Sequence, residues 1–229
     1  MLEDRTLQGQ LKSSISDSVE LKNHIESNLK TNYNDLKKLV KVVLDLEAKD
    51  FSFLVDMYHY RDGGRPSPKS PSKHSVVIES FVKLVKYFKF LELDNIYDLK
   101  SMYGITITVD DEISDYHLTD DQVETIKNYG FTSNTYKEFL RDCILRCDNI
   151  NSEINETNEQ IKLIGSALEE STDLKKKHFN ATVNNEFKIQ EAIRLEDEKK
   201  LKKINDRIDS DYNSYSLAMS LLEKDDDVE

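Results

Sequence analysis

From Tyr136 onward, apolar residues recur at steps of four and three: Tyr136, Leu140, Cys143, Cys147, Ile150, Ile154, Thr157, Ile161, Ile164 and Leu168. This is an a/d seam held over about four heptads, with Thr157 its weak member and Lys, Glu, Asp and Asn on the other faces. Phase is lost near Ser171 to Lys177. Phe179, Val183 and Phe187 then step by four. A register returns at Leu201, Ile204, Ile208, Tyr215, Ala218 and Leu222, with Asp211 as a polar interruption. A slip of this kind unwinds or overwinds a supercoil without ending the helix. No proline lies beyond Pro71. The pattern therefore predicts a single long coiled-coil helix over 135–224, roughly 130 Å long at about 1.5 Å per residue.

A second amphipathic segment fills residues 1–60. It is loose at Leu7, Leu11, Ile15 and Val19, then steadies as Ile25, Leu29, Leu36, Leu39, Val43, Leu46, Phe53 and Met57. Asn32 and Asp50 fall on this seam, where polar residues cost stability and can fix register. From Leu39 the apolar face widens through Val40, Val42, Leu44, Phe51, Leu54 and Val55, so this end is expected to enter a small core.

Residues 61–73, RDGGRPSPKSPSK, hold all three prolines and carry basic charge. They read as a flexible exposed loop. Ser67 (before Pro68) and Ser70 (in Ser-Pro-x-Lys) are phosphorylation candidates, because a phosphate there would exchange positive charge for negative. Residues 74–134 read as a small helical head. Its centre is His74 to Leu93, apolar on most faces, with Ser75 as N-cap. A short helix after Asn95 stops at Gly104. Ile105 to Val109 alternates as a strand or an extended connector would. The acidic run at Asp110, Asp111, Glu112 and Asp115 lacks the ligand order of a calcium loop. Two capping boxes, Thr119 with Gln122 and Thr135 with Glu138, open the next two helices, and Gly130 lies between them. The tail 225–229 is acidic.

The fold class this predicts is all-α: two long coiled-coil-forming helices flanking a small helical head, elongated. The N-terminal helix, at roughly 75 Å, cannot cover the longer one. The excess seam (Ile189, Ile193, Leu201, Ile204, Ile208, Tyr215 and Leu222) is then left for a partner, either another coiled-coil protein or a second copy.

Composition agrees with this outline. Apolar content is 38% and charged content 33%, the balance of helices that bury one stripe. With only six glycines and three prolines, the chain lacks the punctuation of a β-rich fold. A formal net charge of -12 opposes nucleic-acid binding and a membrane-curving role. The lysine clusters at 175–177 and 199–203 alternate with acids and read as solvated faces. No apolar run reaches the length of a membrane span, and the polar N-terminus lacks a secretory leader, so an intracellular protein is expected. Cys143 and Cys147, one helical turn apart, read as small core residues. The histidines (His24, His59, His74, His117 and His178) form no metal-spaced pair.

No phosphate-cradling loop, nucleophile elbow or Cys-His arrangement stands in the sequence, so catalytic, cofactor and metal sites are expected to be absent. The reading is a non-enzymatic structural subunit of a multi-protein complex. The proline-directed sites suit a nuclear, cell-cycle-linked assembly such as a kinetochore or spindle complex. The competing reading is a cytoplasmic tether, adaptor or membrane-trafficking subunit.

Overall fold

The structure is a computed structural model that describes residues 2–59, 117–172 and 174–210. These residues are mostly helical and contain no strand, as an all-α chain requires. The elements are α1 (Leu2–Asn23), a π-helix (His24–Leu29), α2 (Lys30–Leu44), α3 (Ala48–His59), α4 (Asp120–Lys127), α5 (Tyr136–Ser171), α6 (Lys176–Arg194) and α7 (Glu198–Ser210). The basic loop, the apolar segment 74–93 and the strand-like run 105–109 lie outside the described residues, as do Tyr215, Leu222 and the acidic tail. Two compact units divide the chain: residues 31–152, and residues 1–30 with 153–229.

The continuous helix expected over 135–224 is corrected. It is broken twice, at Thr172–Lys175 and at Leu195–Asp197. At the first break the Thr172 hydroxyl donates to the Leu168 carbonyl (2.6 Å) and accepts the Leu174 amide (3.1 Å). The Thr172 amide keeps its helical bond to Leu168 O (2.8 Å), and the hydroxyl captures the Leu174 amide, which a continuing helix would have bonded to the backbone. The fully buried Leu174 fixes the new direction. At the second break Glu196 takes φ 52°. The Glu196 amide bonds Ile193 O (3.1 Å) and the Asp197 amide bonds Ala192 O (2.9 Å), which together form a Schellman turn. Asp197 then caps α7, its carboxylate accepting the Lys200 amide at 2.9 Å.

The N-terminal segment is likewise interrupted, at Asp45–Glu47, where Asp45 adopts φ 52°. Asp is among the L-residues that best tolerate this region. Lys41 pairs with Glu47 across the turn, and Leu46 drops into the core.

In the unit of residues 31–152, the core draws Leu36, Leu39, Val40, Val43, Leu46, Phe51, Leu54 and Val55 from α2, α3 and their turn. It meets Leu118, Ile126 and Phe131, and then Phe139, Leu140, Cys143, Ile144 and Cys147 of α5. The widening of the apolar face after Leu39 therefore does mark entry into a core. Of the two polar seam residues, Asn32 is exposed and Asp50 is buried; Val42, expected on the widened apolar face, is 72% exposed.

Both capping boxes form. Thr119 Oγ1 accepts the Gln122 amide, and Gln122 Oε1 accepts the Thr119 amide. Glu138 Oε2 accepts the Asn134 and Thr135 amides, while Thr135 Oγ1 accepts the Glu138 amide. These two backbone donors hold the Glu138 carboxyl below its ordinary pKa. Gln122 Nε2 also donates to Val43 O (2.8 Å), so one capping residue ties α4 to the end of α2. Gly130 (φ 72°) follows α4. Its carbonyl and that of Tyr129 accept the Arg146 guanidinium at 2.7 and 2.9 Å.

In the other unit, Leu11, Ile15 and Val19 of α1 share a core with Leu168, Leu174, Phe179, Val183 and Phe187. The early stretch that scans as loose in sequence is thus a core face. His24 meets Glu153 at 2.9 Å. With Leu11 and Ile15 clustered with Ile164 and Leu168, α1 runs opposite to this length of α5. α6 packs on α1, and α7 packs back on α6.

Candidate functional site

A partner-binding helix is recognised by apolar seam positions that the chain's own fold leaves in water. On α5, Leu140, Cys143 and Cys147 are buried and Ile150 packs against their cluster. Leu168 is buried in the other unit with Ile164 beside it. Thr157, the weak position, is also buried, its hydroxyl donating to Glu153 O at 2.7 Å. Ile154 and Ile161 differ. Both are only part-buried, and both stand apart from the two core clusters. Leu163 is more exposed still, at 67%.

The sequence-predicted seam is divided by the turn at Glu196. On α6, Ile189 is part-buried and Ile193 exposed; on α7, Ile204 is buried while Leu201 and Ile208 are part-buried. Tyr215 and Leu222 lie outside the described residues, as do Ser67 and Ser70. Phe187, just before this seam, is buried in the core shared with α1. Ala192 and Ile204 are buried as well, and α7 packs back on α6.

Beside the end of α6 lies a groove of about 520 Å³. The π-helix forms one side, with the Lys30 amide reaching back five residues to Ile25 O. A π turn is wider than an α turn and is frequent at functional positions. It carries His24 and Asn28 into the lining, opposite Gln190, Glu191 and Arg194. Glu191 is paired with Lys200 of α7. Nothing in the sequence marks the π-helix. Of the groove, only the charge-rich stretch near Arg194 and Lys200 is visible there.

Lys22 reaches from α1 to Asn184 and lies 5.6 Å from the Phe187 ring centroid. Burial, and to a lesser degree Lys30 and Lys188, hold its pKa below the ordinary lysine value, against an opposing pull from Glu26. The two thiols are core groups, as their seam positions imply. Burial drives both pKa values up, Cys147 to about 12, with Cys147 also raising Cys143. A protonated buried thiol is a poor nucleophile and a poor metal ligand. Among the described residues no group of three or more His, Cys, Asp or Glu is placed to hold a metal, and no helix is long and apolar enough to cross a membrane.

Comparison with family models, with curated proteins and with solved structures finds no match for this chain.

Proposed function

We propose that this chain is a non-enzymatic helical subunit of a multi-protein complex, joined to its partner by coiled-coil pairing along α5. One observation carries the reading. Ile154 and Ile161 stand seven residues apart on the a/d seam, remain part-exposed, and belong to neither core. Burying a fully exposed isoleucine stabilises by about 1.5–3 kcal/mol, and covering what remains exposed of these two gains a part of that, so a facing helix with its own a/d residues gains by docking here. That helix belongs to another coiled-coil protein or to a second copy. The Ser-Pro motifs at Ser67 and Ser70 favour a nuclear, cell-cycle-linked assembly, such as a kinetochore or spindle complex, over a cytoplasmic tether or trafficking subunit.

Co-purification from the source cells, followed by mass spectrometry, tests this. The native chain should recover a stoichiometric helical partner. The double substitution Ile154→Ser with Ile161→Ser should lose that partner while keeping its helicity and melting temperature. Equal recovery with both chains would refute the pairing.

A further inference from the structure

The seam of α5 is occupied on both sides of Ile154 and Ile161. Toward the N-terminus, Ile150 packs on the core of residues 31–152. Toward the C-terminus, Ile164 and Leu168 pack with Leu11, Ile15 and Val19 of α1. The π-helix that continues α1 meets α5 again, through His24 and Glu153 at 2.9 Å. One stretch of this chain therefore lies along α5 from Glu153 to Leu168. A partner confined to Ile154 and Ile161 meets a single heptad. Coiled-coil pairing takes about three or four heptads, and a helix under about 12 residues is marginal by itself in water. A longer partner helix has to take the place that α1 holds.

Several features suit α1 to leaving. Gly9, Ser13, Ser14, Ser16, Asp17 and Ser18 crowd one stretch of it with residues that favour turns and caps over helix interiors. Ser18 is fully buried, and its hydroxyl has no hydrogen-bond partner in the fold. A buried hydroxyl left unbonded regains its bonds in water once the helix lifts. Lys22 is part-buried, and burial lowers its pKa, so its ammonium also gains water on release. Beyond Val19 the ties are single polar contacts, Lys22 to Asn184 and Asn23 to Gln190, with the Lys22 ammonium over the Phe187 ring. The π-helix is anchored better, with Ile25 and Leu29 both buried, and marks where lifting stops. α5 and α6, by contrast, interlock. The Phe179 ring fills the space left by Gly165, Lys176 bonds Ser166 at 2.7 Å, and Leu174 is buried in the turn between them.

We infer that α1 is an autoinhibitory cover, which occupies the α5 seam in place of the partner helix and is displaced when that helix pairs along Ile154 to Leu168. The inference rests on the pairing proposed above and adds its regulation. Leu11, Ile15 and Val19 supply from within the chain the apolar stripe that a partner supplies from outside. Because α1 is tethered, it competes at a high effective concentration even as a poor helix. Weak or accidental partners are thereby excluded, and a helix with a fuller a/d stripe overcomes the cover. The apparent affinity of every partner is reduced in proportion to the fraction of chains in which α1 is lifted.

The full chain is tested by hydrogen exchange and by a labelled peptide of residues 2–29, the cover itself. Amides from Leu11 to Val19 should exchange at least about 100-fold faster than those from Phe179 to Phe187. Ser18→Ala, which removes the unbonded hydroxyl, should slow the α1 amides about tenfold. Leu11→Ser with Ile15→Ser should bring them to the rate of an unstructured segment and leave α6 protected. The peptide should bind this released chain at least about tenfold more tightly than the native chain, whose own α1 holds the site. The release should also raise recovery of the co-purified partner at least about threefold. α1 and α6 exchanging together, α6 losing protection in the released chain, peptide binding that is equal or absent in the two chains, or unchanged partner recovery would each overturn the inference. If α1 lifts and the peptide replaces it while Ile154→Ser with Ile161→Ser leaves recovery intact, the pairing at those two residues falls and the displaceable cover stands.

Discussion

Gly165 shows how one residue without a side chain decides a packing geometry. It lies buried in α5, and a Cβ built there would stand 2.9 Å from the Phe179 ring edge. Phe179 is itself fully buried, so the ring has nowhere to retreat. Gly165→Ala should gain about 0.5–1 kcal/mol from helix propensity and lose about 1–3 kcal/mol to overpacking, a net destabilisation readable by urea denaturation. The thiols give a second expectation at this scale. Cys143 and Cys147 should resist alkylation in the native state near neutral pH and react once the chain is unfolded. The folded pKa of Cys147, about 12, lies above the ordinary value of 9.0. The unfolded chain therefore sheds this proton first. The thiol's contribution to stability is complete below about pH 9 and falls as pH rises toward 12. A denaturation series over that range, native chain against Cys147→Ala, checks it: the native chain should lose the more stability. The burial of both thiols was legible from their a/d spacing. Gly165 was not, because no pattern within α5 reveals which later residue will lie against it.

The helices taken singly were legible where capping chemistry is written locally. Thr119 with Gln122 and Thr135 with Glu138 announce the starts of α4 and α5, and both boxes are made. The ends were harder. All three interruptions of the long segments, at Asp45, Thr172 and Glu196, occur without glycine or proline. Each works through the backbone tolerance or hydroxyl chemistry of an ordinary polar residue, which looks in sequence like one more solvated position. The phase slip near Ser171 was a true signal of change, but it marked a turn rather than a twist in the supercoil. Glutamate at φ 52° is disfavoured relative to glycine. Glu196→Gly should therefore stabilise by about 0.5–1 kcal/mol, whereas Asp197→Ala should cost about 1 kcal/mol by uncapping α7. Opposite shifts in melting temperature from these adjacent residues would confirm the Schellman turn. A continuous helix here would instead be weakened by the glycine.

On the scale of the whole chain, the seam survives in altered form. Its two ends are spent on the chain's own cores, Leu140 to Cys147 in one unit and Leu168 in the other; Ile154 and Ile161 are part-buried and belong to neither, and the proposed pairing assigns them to a partner. Hydrophobic periodicity could show that the stripe must be covered. It could not show by what, since a helix returning from the same chain and one from a neighbour satisfy the same spacing. The direct measurement is site-specific photo-crosslinking from position 161 in the native cell extract. Coiled-coil pairing predicts one dominant product, to a seam residue of a helical partner or of a second copy, that disappears with Ile154→Ser. Crosslinks solely to residues of the same chain, or to solvent alone, would contradict it.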